Sequence, residues 1–102
     1  MGSCTSTKST IEDYRYQFIT SARVSGNVTK ETFDLLHTHW MNNDDVNQIF
    51  QTKGQLINEY SYDGKDYEIY GYLGEETAVF AIFNGELLIA CEYLIPSYYN
   101  GK

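Results

Sequence analysis

The chain of 102 residues is 42% hydrophobic and sets 14 Asp and Glu against 7 Lys and Arg, a formal charge of -7. That length serves one core and leaves no room for a catalytic domain plus a regulator. The acidic balance opposes broad contact with phosphate backbones, so no nucleic acid is expected as a ligand. No apolar run approaches the roughly 18 residues that cross a bilayer, and the N-terminus lacks the apolar core of an intact signal peptide.

Residues 1–10, MGSCTSTKST, are rich in Ser and Thr without apolar period and read as a flexible leader. Residues 11–96 read as a single domain and 97–102 as a C-terminal tail. From Ile11 two periods compete. Ile11, Tyr14, Phe18 and Ala22 fall at helical spacing, while Tyr14, Tyr16 and Phe18 fall at strand spacing; a helix is favoured, with SGN at 25–27 as its stop. Thr29 reads as the N-cap of a second helix with Glu31 in its first turn, and Phe33, Leu36 and Trp40 form its apolar stripe. In MNNDDVNQIF, Asn42 or Asn43 caps a third short helix, Asp44 and Asp45 match its dipole, and Val46, Ile49 and Phe50 face inward.

After Gly54 the period changes to two. Asp63-Gly64 and Asn84-Gly85 are strong hairpin signals, since tight turns need positive φ at their centre. A looser turn around Gly74 joins the two hairpins. The expected fold is α+β, with two to three short N-terminal helices packed on a four-stranded antiparallel β-meander. In the last strand Leu87, Ile89, Cys91, Tyr93 and Ile95 alternate against Leu88, Ala90, Glu92 and Leu94. Both faces are partly apolar, so helices are expected on one face and a partner or a tyrosine-rich surface on the other. Pro96 ends the strand.

The candidate chemistry is thin. His37 and His39 sit about 200° apart on a helix and cannot share one ion; they read as helix C-terminal residues, and Trp40 and Met41 as core contacts at a helix junction. Cys91 reads as a small core hydrophobe in an apolar strand, with a bond to Cys4 the less favoured alternative. Neither a G-x-S-x-G elbow nor a Gly-rich phosphate loop occurs. The chain is therefore expected to be no enzyme and to use no cofactor and no metal.

Cys4 followed by a polar Ser/Thr tether resembles the mature start of a bacterial lipoprotein, which would make Cys4 the lipid anchor and place the protein at a bacterial cell membrane or cell surface. Two other readings stand beside it: Gly2 followed by Ser6 fits M-G-x-x-x-[ST], with Gly2 myristoylated and Cys4 palmitoylated, or the leader carries no lipid. Thr29, Phe33 and Leu36, then Met41, Asp45, Val46 and Ile49, then Asn84, Gly85 and Leu87 or Leu88 lie in an order that resembles the SmpA/OmlA (BamE) family of small lipoproteins and its Gram-positive relatives. Trp40 and Gln51 stand where that family has glycine. The resemblance covers residues 28–95 and implies helices before an antiparallel sheet, a role in envelope assembly or inhibition, and no catalytic residues.

Ten tyrosines then stand out. Their rings are large, rigid and polar at the tip, which suits contact surfaces. Tyr60, Tyr62, Tyr67, Tyr70 and Tyr72, on adjacent strands, are the expected contacts for a protein partner. The alternative is a cytosolic acidic inhibitor that mimics nucleic-acid charge and blocks a basic groove.

Overall fold

The computed structural model describes residues 13–95. Residues 1–12, which include the leader and Ile11 of the expected helical stripe, and Pro96 with the tail lie outside the described residues. The elements are α1 (Asp13–Ser21), α2 (Lys30–Phe33), α3 (Asn43–Phe50), β1 (Gln55–Tyr62), β2 (Lys65–Leu73), β3 (Ala78–Asn84) and β4 (Leu87–Leu94). The strands form one antiparallel sheet in the order β1-β2-β3-β4, so the α+β class and the meander are as expected.

α1 takes the helical of its two periods, burying Phe18 and Ile19 with Tyr14 and Ala22 packed beside them. Its end comes early, at Ser21, where the Thr20 and Ser21 hydroxyls donate back to the carbonyls of Tyr16 and Gln17. Such back-bonding competes with helix continuation. α2 is capped by Thr29, whose Oγ1 accepts the Thr32 N–H at 3.2 Å while the Thr32 hydroxyl accepts the Thr29 N–H at 2.9 Å.

The second helix was expected to run on to Trp40, and it does not. After Asp34 the chain turns, His39 adopts φ 67, and residues 39–42 run beside the start of β4. His39 N–H donates to Leu88 O at 2.6 Å, Leu88 N–H donates to Met41 O at 2.8 Å, and Asn42 bridges Leu87. The outward backbone groups of β4 thereby find partners that a longer helix would have left open. This path turns Trp40 outward, 82% exposed, so it is no core contact, whereas Met41 does pack on the core.

α3 follows the expected capping. Asn42 Oδ1 accepts the Asp45 N–H at 2.9 Å, and Asp45 accepts the Asn42 N–H at 3.1 Å. Val46 and Phe50 are fully buried. At its C-cap Gln51 adopts the left-handed conformation, φ 59, which a glycine holds with less strain.

Helices cover both faces of the sheet, not one. α1 packs on Ile69, Leu73, Ala78 and Phe80; α2, α3 and their linker pack on Tyr72, Val79, Ala81, Phe83, Leu88 and Cys91. The reason lies in β2 to β4, where both alternating residue sets are apolar and neither can stay in water. Gly71 admits the Phe18 ring on one side, since a Cβ there would lie 2.8 Å from Phe18 Cζ. The phase of β4 also differs from simple alternation: the register shifts between Ile82 and Phe83, so Phe83 pairs with Leu88 and Ile82 with Ala90. Ile89 is left over in the bulge, and Leu88 joins Cys91 on the α3 side. The second hairpin turns on Gly85-Glu86, one residue later than expected, because Asn84 pairs with Leu87 and Gly85 (φ 67) takes the first central position.

Candidate protein-binding surface

The first hairpin projects beyond the helices. Its turn is Asp63-Gly64, with φ 55 and 78, and a two-residue turn fixes the register: Tyr62 opposite Lys65, Ser61 opposite Asp66, Tyr60 opposite Tyr67 and Glu59 opposite Glu68. Opposed residues share a face. Tyr60, Tyr62 and Tyr67 therefore emerge on the α1 side, and Glu59, Glu68, Ser61 and Asp66 on the α3 side.

On the α1 side the rings of Tyr60 and Tyr67 stack, with centroids 5.1 Å apart and planes 25° apart. Tyr62 beyond them is 70% exposed. Partial burial, then the neighbouring phenols of Tyr14 and Tyr67, hold the Tyr60 hydroxyl above its ordinary pKa. On the α3 side Glu59 and Glu68 are direct cross-strand neighbours, and Ser61 Oγ donates to Asp66 Oδ1 at 2.7 Å. Tyr70 lies on this side, edge-on to Phe83 at 5.7 Å and on the same face as Glu68. Burial first, and then the Glu68 and Glu59 carboxylates, raise its pKa.

The five expected contact tyrosines do not form one patch. Tyr60, Tyr62 and Tyr67 share a face, while Tyr70 is half-buried on the opposite one and Tyr72 is core at 1% exposure. Tyr72 cannot touch a partner. Its ring lies 4.8 Å from Phe50, its hydroxyl donates to Asn47 Oδ1 at 2.7 Å, and a Cβ on Gly54 would lie 2.5 Å from its Cζ. Residues 67, 70 and 72 stand on one strand, so their parity alone separates the first from the other two; the register of the Asp63-Gly64 turn then decides which of them joins Tyr60. The acidic side of the hairpin was not anticipated, although the same register reveals it.

Elsewhere, His37 and His39 are exposed and, among the described residues, no three His, Cys, Asp or Glu come together as a metal group. A groove of about 790 Å³ runs between residues 24–31 and the Gly74–Thr77 turn, floored by Tyr93 and Ile95. Lys30 lines it with Nζ 2.9 Å from Asp34 Oδ1, and no His or Cys borders it among the described residues. Under α1, Arg15 Nη2 meets Glu92 Oε1 at 3.0 Å, both side chains about nine-tenths buried, with the guanidinium 6.0 Å from the Phe80 ring centre. This pair fixes α1 on the sheet. Sequence alternation placed Glu92 among apolar residues without finding its partner.

Cys91 is disulfide-bonded, against the expectation of a free core thiol. The chain has one other cysteine, Cys4, which lies outside the described residues. Among the described residues no helix is long and apolar enough to cross a membrane. Comparison with protein-family models, with curated proteins and with solved structures gives no match.

Proposed function

We propose that this chain is a non-enzymatic protein-binding module that meets its partner through the tyrosine face of the β1–β2 hairpin. The observation that carries this reading is the stacked Tyr60–Tyr67 pair with Tyr62 70% exposed beside it, on a hairpin at the sheet edge. Stacking already restricts the rings, so a partner gains aromatic area at small cost in side-chain entropy. Tyrosine is among the residues that dominate interface energetics.

The cellular setting in this proposal is the envelope of a bacterium, in line with the resemblance to SmpA/OmlA-type lipoproteins. The disulfide at Cys91 supports an oxidising compartment over the cytosol. It also bears on the anchor: a sulfur in a disulfide carries no acyl or thioether lipid, so a lipid on Cys4 and a bond from Cys4 to Cys91 exclude one another. Intact-mass measurement before and after reduction separates them. The charge-mimic alternative gains little, since the acids are divided among the α3 start, the Glu75-Glu76 turn and the hairpin rather than gathered on one element.

The test is site-specific photocrosslinking in the cells that make the protein. A benzoylphenylalanine at position 62 or 60 is expected to give one discrete adduct, and the same probe at the exposed Gln48 of α3 none. Equal adducts at all three positions, or turnover of a substrate by the purified chain, overturns the reading.

A further inference from the structure

The same hairpin ends the sheet, and among the described residues its outer strand has no neighbour on the far side. β1 pairs only with β2, and among the described residues no backbone group outside the sheet bonds to it. Six of its eight residues are exposed. The opposite edge differs, because residues 39–42 already cover the start of β4. A two-residue turn makes Tyr62 and Lys65 a hydrogen-bonded pair, and pairs alternate from there. The N–H and C=O groups of Tyr60 and Tyr62 therefore point to β2, and those of Glu59 and Ser61 point outward. One contact agrees with this: the Glu59 N–H is taken by the neighbouring Asn58 Oδ1 at 2.9 Å, a local substitute for a missing strand.

The two faces along this edge carry opposite chemistry. On one lie Tyr60 with Tyr67, and Tyr62; on the other lie Glu59 with Glu68, and Ser61 with Asp66. Glu59 and Glu68 face each other as like charges, and no Lys or Arg forms a salt bridge to either among the described residues. A strand added beside β1 would put alternate side chains on alternate faces. Its residues next to Glu59 and Ser61 would meet carboxylates, and its residues next to Tyr60 and Tyr62 would meet rings. A second copy of this chain is a poor occupant, since its own β1 would bring Glu59 and the acidic hairpin to the same place.

We propose that the open edge of β1 receives an extended segment of a partner protein as a fifth strand, and that this segment alternates basic with apolar or aromatic residues. The inference rests on the reading of this hairpin as the binding surface, and it specifies how the partner engages and what it is made of. Main-chain bonds to Glu59 and Ser61 supply the pairing, and Lys or Arg beside Glu59 relieves the like-charge contact with Glu68.

The probe is a capped peptide of alternating Lys and Val, compared with an alternating Glu and Val peptide and with a Lys/Val peptide of the same composition in block order. Calorimetry gives affinity, and amide hydrogen exchange gives the site. The alternating basic peptide is expected to bind at least tenfold more tightly than either control and to slow exchange at Glu59 and Ser61. Ser61→Pro, which removes an outward N–H and leaves the β1–β2 ladder in place, should abolish binding, with circular dichroism checking the fold. Glu59→Lys should weaken the basic peptide at least tenfold and improve the acidic one. Absent or equal binding of the three peptides overturns the proposal. So does binding that survives Ser61→Pro or leaves exchange at β1 unchanged, and so does self-association of the chain that Ser61→Pro removes. The crosslinks from positions 60 and 62 stand apart from these results: adducts there without strand addition leave the tyrosine surface intact, and their loss removes both.

Discussion

Replacing Tyr72 by Phe isolates one hydroxyl in the core. The ring keeps its place against Phe50, 4.8 Å away, and the change removes the 2.7 Å bond to Asn47 Oδ1. That oxygen still accepts the Gly54 N–H at 3.3 Å, so it is not orphaned, and the loss at pH 7 should be about 1 kcal/mol. The pH dependence is more telling. Burial, and then the neighbouring Tyr70, push the Tyr72 hydroxyl well above its ordinary value. With the folded pKa raised, the stabilisation is whole below the unfolded value near about 10 and is lost as pH climbs towards the folded one, because the unfolded chain releases this proton first. By pH 11 the natural chain should have lost about 1.4 kcal/mol from this residue, and the Phe variant nothing. The other nine tyrosines are common to both chains. Urea unfolding at both pH values should thus show the variant weaker at pH 7 and level with the parent at pH 11. A stability gap that is the same at the two pH values would refute the buried-phenol reasoning.

Four further outcomes follow from the packing. Gln51→Gly, at the left-handed C-cap of α3, should raise stability by up to about 1 kcal/mol in chemical denaturation; a loss would mean the Gln51 side chain matters more than its backbone strain. Glu92→Ala removes a charge-assisted hydrogen bond from the buried Arg15 guanidinium and should cost about 1.5–3 kcal/mol, as read by thermal unfolding, while the conservative Glu92→Gln should lose less. Trp40→Ala should change stability by less than about 0.5 kcal/mol, and the emission of the parent should be that of a tryptophan in water. Reduction of the disulfide at Cys91 should lower stability by about 2–4 kcal/mol, with no such effect of reductant on Cys91→Ala.

The local elements could be read along the chain wherever one signal dominated its neighbourhood. Thr29 and Asn42 cap the helices that follow them, Asp63-Gly64 closes the first hairpin, and Val46 with Phe50 marks the inner side of α3. These features depend on backbone groups within a few residues, which is the range over which sequence spacing acts. The phase of a face depends instead on register. Tyr60 and Tyr72 look alike as strand tyrosines, yet one is 42% and the other 1% exposed, because the register places them on opposite sides and Tyr72 lies under α3 while Tyr60 stands on the part of the hairpin that projects beyond the helices.

By itself, then, the sequence determined the class: helices first and a four-stranded antiparallel meander after. Only the tertiary structure decided that both sheet faces are covered, that residues 39–42 leave the helix to pair with β4 and expose Trp40, that Arg15 meets Glu92, and that the tyrosines divide. Each of those outcomes joins residues far apart in the chain, where the need to pair buried polar groups and fill space outweighs local preference.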